Sequence, residues 1–286
     1  MVLTLFFLAL VYFIFIAVLA YLGVGSLVLL IIAAGALLLQ FFFSDRLALM
    51  TMGARIVSEQ EEPRLYETVV RLCAIADMPS PRIAIVKNQI PNAFATGRSP
   101  GSSVVAVTTG LKDMLSREEL EAVLAHELSH VKNRDVMVMT LAGVISTAAF
   151  FLFRSFLAGG MRSTGSREGG GKGAWILIPL LSAVVWAASF LLIRALSRYR
   201  EYAADRGSAV LTGNPSHLAS ALMKISGIMK RVPDEDLRKV EGMNAFFIVP
   251  ALSSSSIFQL FSTHPTVEQR IEALSRLEQE LGSHGF

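Results

Sequence analysis

The chain has 286 residues, of which 53% are hydrophobic and only 17% charged, with a mean hydropathy of +0.53. That is too little charge for an ordinary soluble domain of this length and points to membrane segments beside a smaller folded domain. The formal net charge of +3 is too small and too scattered to imply a nucleic-acid partner, and the single cysteine, Cys73, excludes an intramolecular disulfide and a Cys-rich zinc site.

In chain order, residues 2–22 and 27–43 read as two membrane spans separated by the break at Gly23–Ser26. A helix needs roughly 20 apolar residues to cross the hydrocarbon, with about 17 as the lower limit. A cleaved signal peptide fits poorly: there is no charged leading region, the apolar run is too long, and a second follows at once. Residues 44–135 form a polar region. Within it, 62–76 reads as a helix with Leu65, Val69, Leu72 and Ala76 on one face, ended by Pro79 and Pro81. Residues 82–87 and 102–108 read as strands. Ser116 and Glu119 make a capping box that opens a helix carrying Leu120, Val123, Leu124, Leu128 and Val131. Residues 136–153 and 175–193 read as a third and a fourth span, joined by the glycine-rich stretch 159–173, and 194–286 is a second polar region.

Basic residues set the expected orientation. Arg154, Arg162, Arg167 and Lys172 lie between spans three and four. Arg46, Arg55, Arg117, Lys132, Arg134, Arg194, Arg198, Arg200 and Arg206 lie on the other side. This moderate bias places both polar regions in the cytoplasm. The expected organisation is a helix pair (1–43), the first part of a polar domain (44–135), a membrane hairpin (136–193) and the second part of that domain (194–286).

The chemistry is concentrated in His126-Glu127-Leu128-Ser129-His130 on the capped helix. Histidines four apart project from one helical face, so both imidazoles can reach one ion at about 2.0–2.1 Å. Glu127 points beside the metal, where it can accept a proton from the attacking water and pass it to the leaving amine. A catalytic site also needs a third ligand and an open position. Glu201 and Asp205, again four apart, supply two carboxylates: one can bind the metal while the other orients an imidazole, and spacing alone does not say which. At about 1.5 Å per residue, both clusters lie within roughly 12 Å of the same membrane face, so the hairpin can bring them together near the lipid headgroups.

With these residues placed, the chain resembles the HtpX family of membrane zinc proteases, within the broader group that includes the CAAX-prenyl proteases. The resemblance rests on the paired N-terminal spans, Pro91-Asn92-Ala93-Phe94-Ala95-Thr96-Gly97, Val104–Thr108 and residues 126–135. It continues through 200–207, 213–224 and Ser262-Thr263-His264-Pro265. It implies an α+β, zincin-like catalytic domain on the cytoplasmic side of a four-span helical membrane protein, with one zinc ion as cofactor. It implies Glu201 as the third ligand, Asp205 as the acid beside a ligand histidine, and His264 near the reaction centre, binding oxyanion or substrate. It implies quality control at the bacterial inner membrane, with unfolded or damaged membrane proteins as substrates. Four spans fit this group better than the prenyl-protease branch, which has more. His217 and His284 match no catalytic position.

The expected reaction is endopeptide hydrolysis with broad specificity, the substrate lying extended beside an edge strand. Residues 104–108 are the candidate edge, because they precede the zinc helix. A scaffold or transporter with a structural metal is the rival from another class, but a transporter needs ionisable groups within its spans and here they lie just outside. A narrow-specificity processing protease is the rival within the enzyme class. No nucleotide-binding glycine loop ending in Lys-Ser or Lys-Thr accompanies these motifs, so nothing supports unfolding driven by ATP.

Overall fold

The structure is a computed structural model that describes residues 48–97, 99–139, 174–229 and 264–283, together with isolated positions elsewhere. The expected spans 2–22 and 27–43, most of 136–153, the glycine-rich stretch and His284 lie outside the described residues. The chain divides into two compact units, one of Met1–Phe41 with Val138–Leu196, the other of Phe42–Met137 with Ser197–Phe286.

The second unit is α+β. Its strands are β1 (Ala54–Ile56), β2 (Arg82–Val86), β3 (Ala93–Thr96) and β4 (Val104–Thr108). Its helices are α1 (Pro63–Ala76), α2 (Thr109–Met114) and α3 (Arg117–Lys132). These are followed by the last turns of α4 (Ala174–Thr212), by α5 (Pro215–Met229) and by α6 (Val267–Ser283). The sheet order is β1-β2-β4-β3; β2 and β4 run parallel, and the outer strands pair antiparallel. Both central strands are apolar runs, Ile83-Ala84-Ile85-Val86 and Val104-Val105-Ala106-Val107, because both faces of the sheet are covered. Ile83, Ile85, Val105 and Val107 face a core with Val69 and Leu72 of α1, Leu124 and Leu128 of α3, and Leu218 and Leu222 of α5. Ala84, Val86, Phe94, Val104 and Ala106 pack on the other face with Met52.

The topology corrects one expectation. Val104–Thr108 is an interior strand, hydrogen-bonded on both sides, and among the described residues the outermost strand beside it is β3. The continuous apolar run marks a buried central strand, whereas the four-residue β3 is too short for periodicity to expose. Gly97 closes β3 at φ +135°, where any side chain would collide with the Ser103 backbone.

The capping box of α3 is as expected: Glu119 N donates to Ser116 Oγ at 3.3 Å, and Ser116 N to Glu119 Oε2 at 2.9 Å. Cys73 packs in the core, and burial pushes its thiol up to about 11. His217 sits at the start of α5 with Nε2 3.2 Å from Asn214 Nδ2.

In the first unit, Leu196 of α4 packs with Ala142, beside Val138 and Leu192. α4 does not stop where the apolar run of residues 175–193 ends. It continues as one helix to Thr212, and it is the one helix among the described residues long and apolar enough to cross a membrane. Its final turns, from Ser197, belong to the second unit.

Candidate metal centre and active site

Two helices build the centre. α3 presents His126, Glu127 and His130, and the last turns of α4 present Glu201 and Asp205. Close packing holds them together. Ser208 Oγ donates to the Ala122 carbonyl at 2.7 Å, and Gly207 lies against Ser129, where even a methyl group would overlap the hydroxyl.

The inward nitrogens of His126 and His130 are 3.1 Å apart, and the imidazole planes cross at 87°. Glu201 Oε2 lies 3.7 Å from His126 Nε2, and Oε1 lies 3.7 Å from His130 Nε2. A tetrahedral zinc ion with bonds of about 2.0–2.1 Å needs its donors roughly 3.3–3.4 Å apart, so this triangle fits one ion with little adjustment. The outer nitrogens are already engaged: His126 Nδ1 lies 3.0 Å from Asp205 Oδ1, and His130 Nδ1 lies 2.6 Å from Asp135 Oδ2. Spacing left open which carboxylate reaches the metal; the geometry puts Glu201 in the triangle and Asp205 behind an imidazole.

Charge gives the same answer. The site holds four buried carboxylates, on Glu127, Asp135, Glu201 and Asp205, against the guanidiniums of Arg200 and Arg270. With neutral imidazoles the formal excess is two negative charges, which a divalent cation cancels; buried charges persist only when paired. Burial disfavours a proton on His126, but Asp205 and Glu201 outweigh it and push the imidazole up to about 9. The same carboxylates favour any cation placed there. Burial, aided by Glu201, raises the Glu127 carboxyl above its ordinary range, although His126, His130 and Arg270 oppose the shift. That suits a group that must both take and give a proton near neutral pH.

Several side chains at the centre escaped the sequence reading. Arg270 is fully buried and grips Asp205 bidentately, Nη2 to Oδ1 at 2.6 Å and Nε to Oδ2 at 2.9 Å. Its Nη1 donates to the Ile248 carbonyl at 2.8 Å and lies 3.5 Å from Glu201 Oε2. Ile248 N in turn donates to Asn92 Oδ1 at 3.1 Å, tying the segment before β3 to α6. Asp135 was visible only as a member of a longer motif, and Arg200 only there and among the basic residues that set the orientation. The sole advance signal for Arg270 is its position six residues after His264. His264 itself lines the cleft, with Nδ1 3.3 Å from Glu201 Oε1. β3 forms a wall of the same cleft, facing His126, Glu127 and His130.

A two-histidine, one-carboxylate centre on a helix pair, open to a cleft walled by β3, the outer strand of the sheet among the described residues, defines a zinc-dependent endopeptidase. Residues 59–278 match the model of Peptidase family M48. The chain is 58% identical to a protein named Protease HtpX homolog 2 from Methanosarcina acetivorans, over 98% of this chain and 95% of that one. It is 54% identical to a Protease HtpX homolog from Moorella thermoacetica, over 98% and 94%. It is 43% identical to a Pyrococcus abyssi protein of the same name, over 90% and 88%. The chain therefore belongs to peptidase family M48, among its HtpX proteases. The crystal structure of Ste24p from S. mikatae shares the fold, with a TM-score of 0.59 and 18% identity over 93% of this chain and 62% of that one. Relatives this similar occur in Methanosarcina, Moorella and Pyrococcus alike, so the likeness does not single out a bacterial source.

Proposed function

We propose that the protein is a broad-specificity endopeptidase of the cytoplasmic membrane, degrading unfolded or damaged membrane proteins with Glu127 as general base. The observation that carries this reading is the cleft itself: a buried carboxylate beside the metal triangle, opposite β3, the outer strand of the sheet among the described residues. In the β3–β4 ladder Thr108 N donates to the Asn92 carbonyl, so the alternation of an antiparallel pair turns the main-chain groups of Ala93 and Ala95 outward. An extended peptide adds to that edge through its backbone, which recognises unfolded chain rather than one side chain. His126, His130 and Glu201 would hold a zinc ion, which would supply a Lewis acid for the scissile carbonyl and acidify the attacking water. Glu127 takes the proton from that water and returns it to the leaving amine. Asp205, braced by Arg270, fixes the tautomer and tilt of His126. His264 stands at the cleft wall, where it stabilises the substrate oxyanion.

The membrane setting rests on the apolar helix α4, the four apolar runs and the distribution of basic residues. In this reading residues 1–43 and 136–193 supply four spans, and the polar regions 44–135 and 194–286 make one catalytic domain on the cytoplasmic side. A reporter fused after Phe286 should then be cytoplasmic, and an external reporter overturns the topology.

The enzymatic test compares zinc content and cleavage of casein and of an unfolded membrane protein by wild type and E127A. The variant should keep its zinc and lose activity by about 10²–10⁴-fold, the usual contribution of a positioned acid–base group. Undiminished cleavage by E127A overturns the mechanism. Cleavage of one membrane substrate and of no casein replaces broad with narrow specificity.

A further inference from the structure

We propose that Asp135 and Arg200 are the positioning pair of His130, forming a second arginine–aspartate–histidine chain that approaches the metal centre from the cleft. The proposal rests on His130 being a metal ligand.

The local backbone is shaped for this contact. Asp135 follows His130 by five residues, which on a continued helix would swing it roughly 140° away around the axis. Instead α3 ends at Lys132, and Arg134 takes up a left-handed conformation at φ +54°, which arginine rarely adopts. The turn carries the Asp135 carboxylate back under the imidazole, with Oδ2 2.6 Å from His130 Nδ1. At 1% exposure this carboxylate needs a counter-charge. Arg200 Nε stands 3.1 Å from the same Oδ2, as an ion pair without an aligned hydrogen bond. Arg200 directly precedes Glu201 on α4, so one helical turn delivers both a metal ligand and the cation that steadies the acid behind another ligand.

The arrangement repeats that of Arg270, Asp205 and His126, with one difference. The Arg270 side chain is 1% exposed and sealed, whereas that of Arg200 is 14% exposed and lines the cleft. An acid accepting the Nδ1 proton fixes the tautomer and aims Nε2 at the metal. The His130 arm is therefore held by a pair in contact with the substrate channel, and the His126 arm by a pair shut away from it.

The test uses full-length protein in detergent, stripped with a chelator and titrated with zinc against a chromophoric competitor. D135A should bind zinc about 10–100-fold more weakly, as for loss of other acids behind metal-bound histidines. R200Q should weaken binding in the same direction, and R200K, which restores the charge, should recover most of the loss. In the cobalt-substituted protein the visible bands should shift in D135A and R200Q. A purely structural role would lower the melting temperature and leave those bands in place. Wild-type zinc affinity and an unchanged cobalt spectrum in both variants overturn the proposal. If D135A does not fold, R200Q decides by the same two readings. A wild-type protein that holds no zinc overturns the metal reading and the pair with it, an outcome distinct from equal binding by wild type and variants.

Discussion

Gly207 of α4 and Ser129 of α3 touch so closely that no side chain fits between them, and this contact sets the distance between the two halves of the metal centre. Glu201 and Asp205 lie on the turns preceding Gly207, and His126 and His130 flank Ser129. Ser129 Oγ donates to the Ala125 carbonyl at 2.8 Å, which holds the hydroxyl in place against the glycine. Replacing Gly207 with alanine should force the helices apart. The expected cost is about 1–3 kcal/mol, as for other overpacked interiors, with weaker zinc binding because the third ligand retreats. Thermal unfolding and zinc titration of G207A check both. Ser208→Ala, which removes only the 2.7 Å bond to Ala122, should cost about 1 kcal/mol and leave zinc affinity nearly unchanged.

A second prediction concerns the edge strand. Ala95 turns its amide outward, so Ala95→Pro removes no ladder hydrogen bond, and proline is tolerated on edges for that reason. The variant should fold normally and raise KM for extended peptides, lowering kcat/KM by about tenfold, the worth of roughly one hydrogen bond. Steady-state kinetics on a quenched-fluorescence peptide would measure it. Unchanged KM would place the substrate elsewhere in the cleft.

Zinc binding should compete with protons at His126. Its imidazole rises from an ordinary 6.5 to about 9 in the folded protein without metal. Metal-stripped protein therefore gains stability from this proton, fully below pH 6.5, and loses it as pH rises through about 9. Zinc must displace the proton, so apparent affinity should fall about tenfold per unit as pH drops below 9. Calorimetric titration at pH 7 in two buffers of different ionisation enthalpy should report close to one proton released from this site.

Glu119 ties the zinc helix to α5. Its carboxylate accepts from Lys224 Nζ at 2.8 Å, Ser220 Oγ at 2.7 Å and the Ser116 amide at 2.9 Å. Burial opposes its ionisation, but Lys224, Ser220 and Ser116 outweigh it and lower the carboxyl below 4.5. A lowered folded value means the stabilisation is complete above 4.5 and drains away as pH falls through the folded value. Glu119→Gln should cost about 1–2 kcal/mol at pH 7, counting the weakened cap and charged hydrogen bonds and allowing for screening at the half-exposed Lys224. Urea unfolding of both proteins should show that gap narrowing as pH falls below about 4.5.

The residues whose chemistry is local were legible early. His126, Glu127 and His130 share one helix, and its period fixes their faces before any packing is known. The Ser116–Glu119 cap and the α1 stripe were readable for the same reason. Glu201 and Asp205 were visible as a pair, but which one reaches the metal depends on how α4 rolls against α3, which the close Gly207–Ser129 contact fixes and spacing does not. The edge strand was misplaced because residues 104–108 were chosen for preceding the zinc helix, although their unbroken apolar run marks a strand covered on both faces.

The sequence by itself determined the composition that calls for a membrane helix, the two-histidine face and the acid beside it, since these depend on residue type and on spacing within one element. Tertiary structure decided which carboxylate completes the triangle, which strand lies outermost among the described residues, and that Arg270, Asp135 and Arg200 belong to the centre at all. A helical repeat relates neighbours a turn apart; Asp205 and Arg270, 65 residues apart, meet only because buried charges must find partners once the helices carrying them have packed.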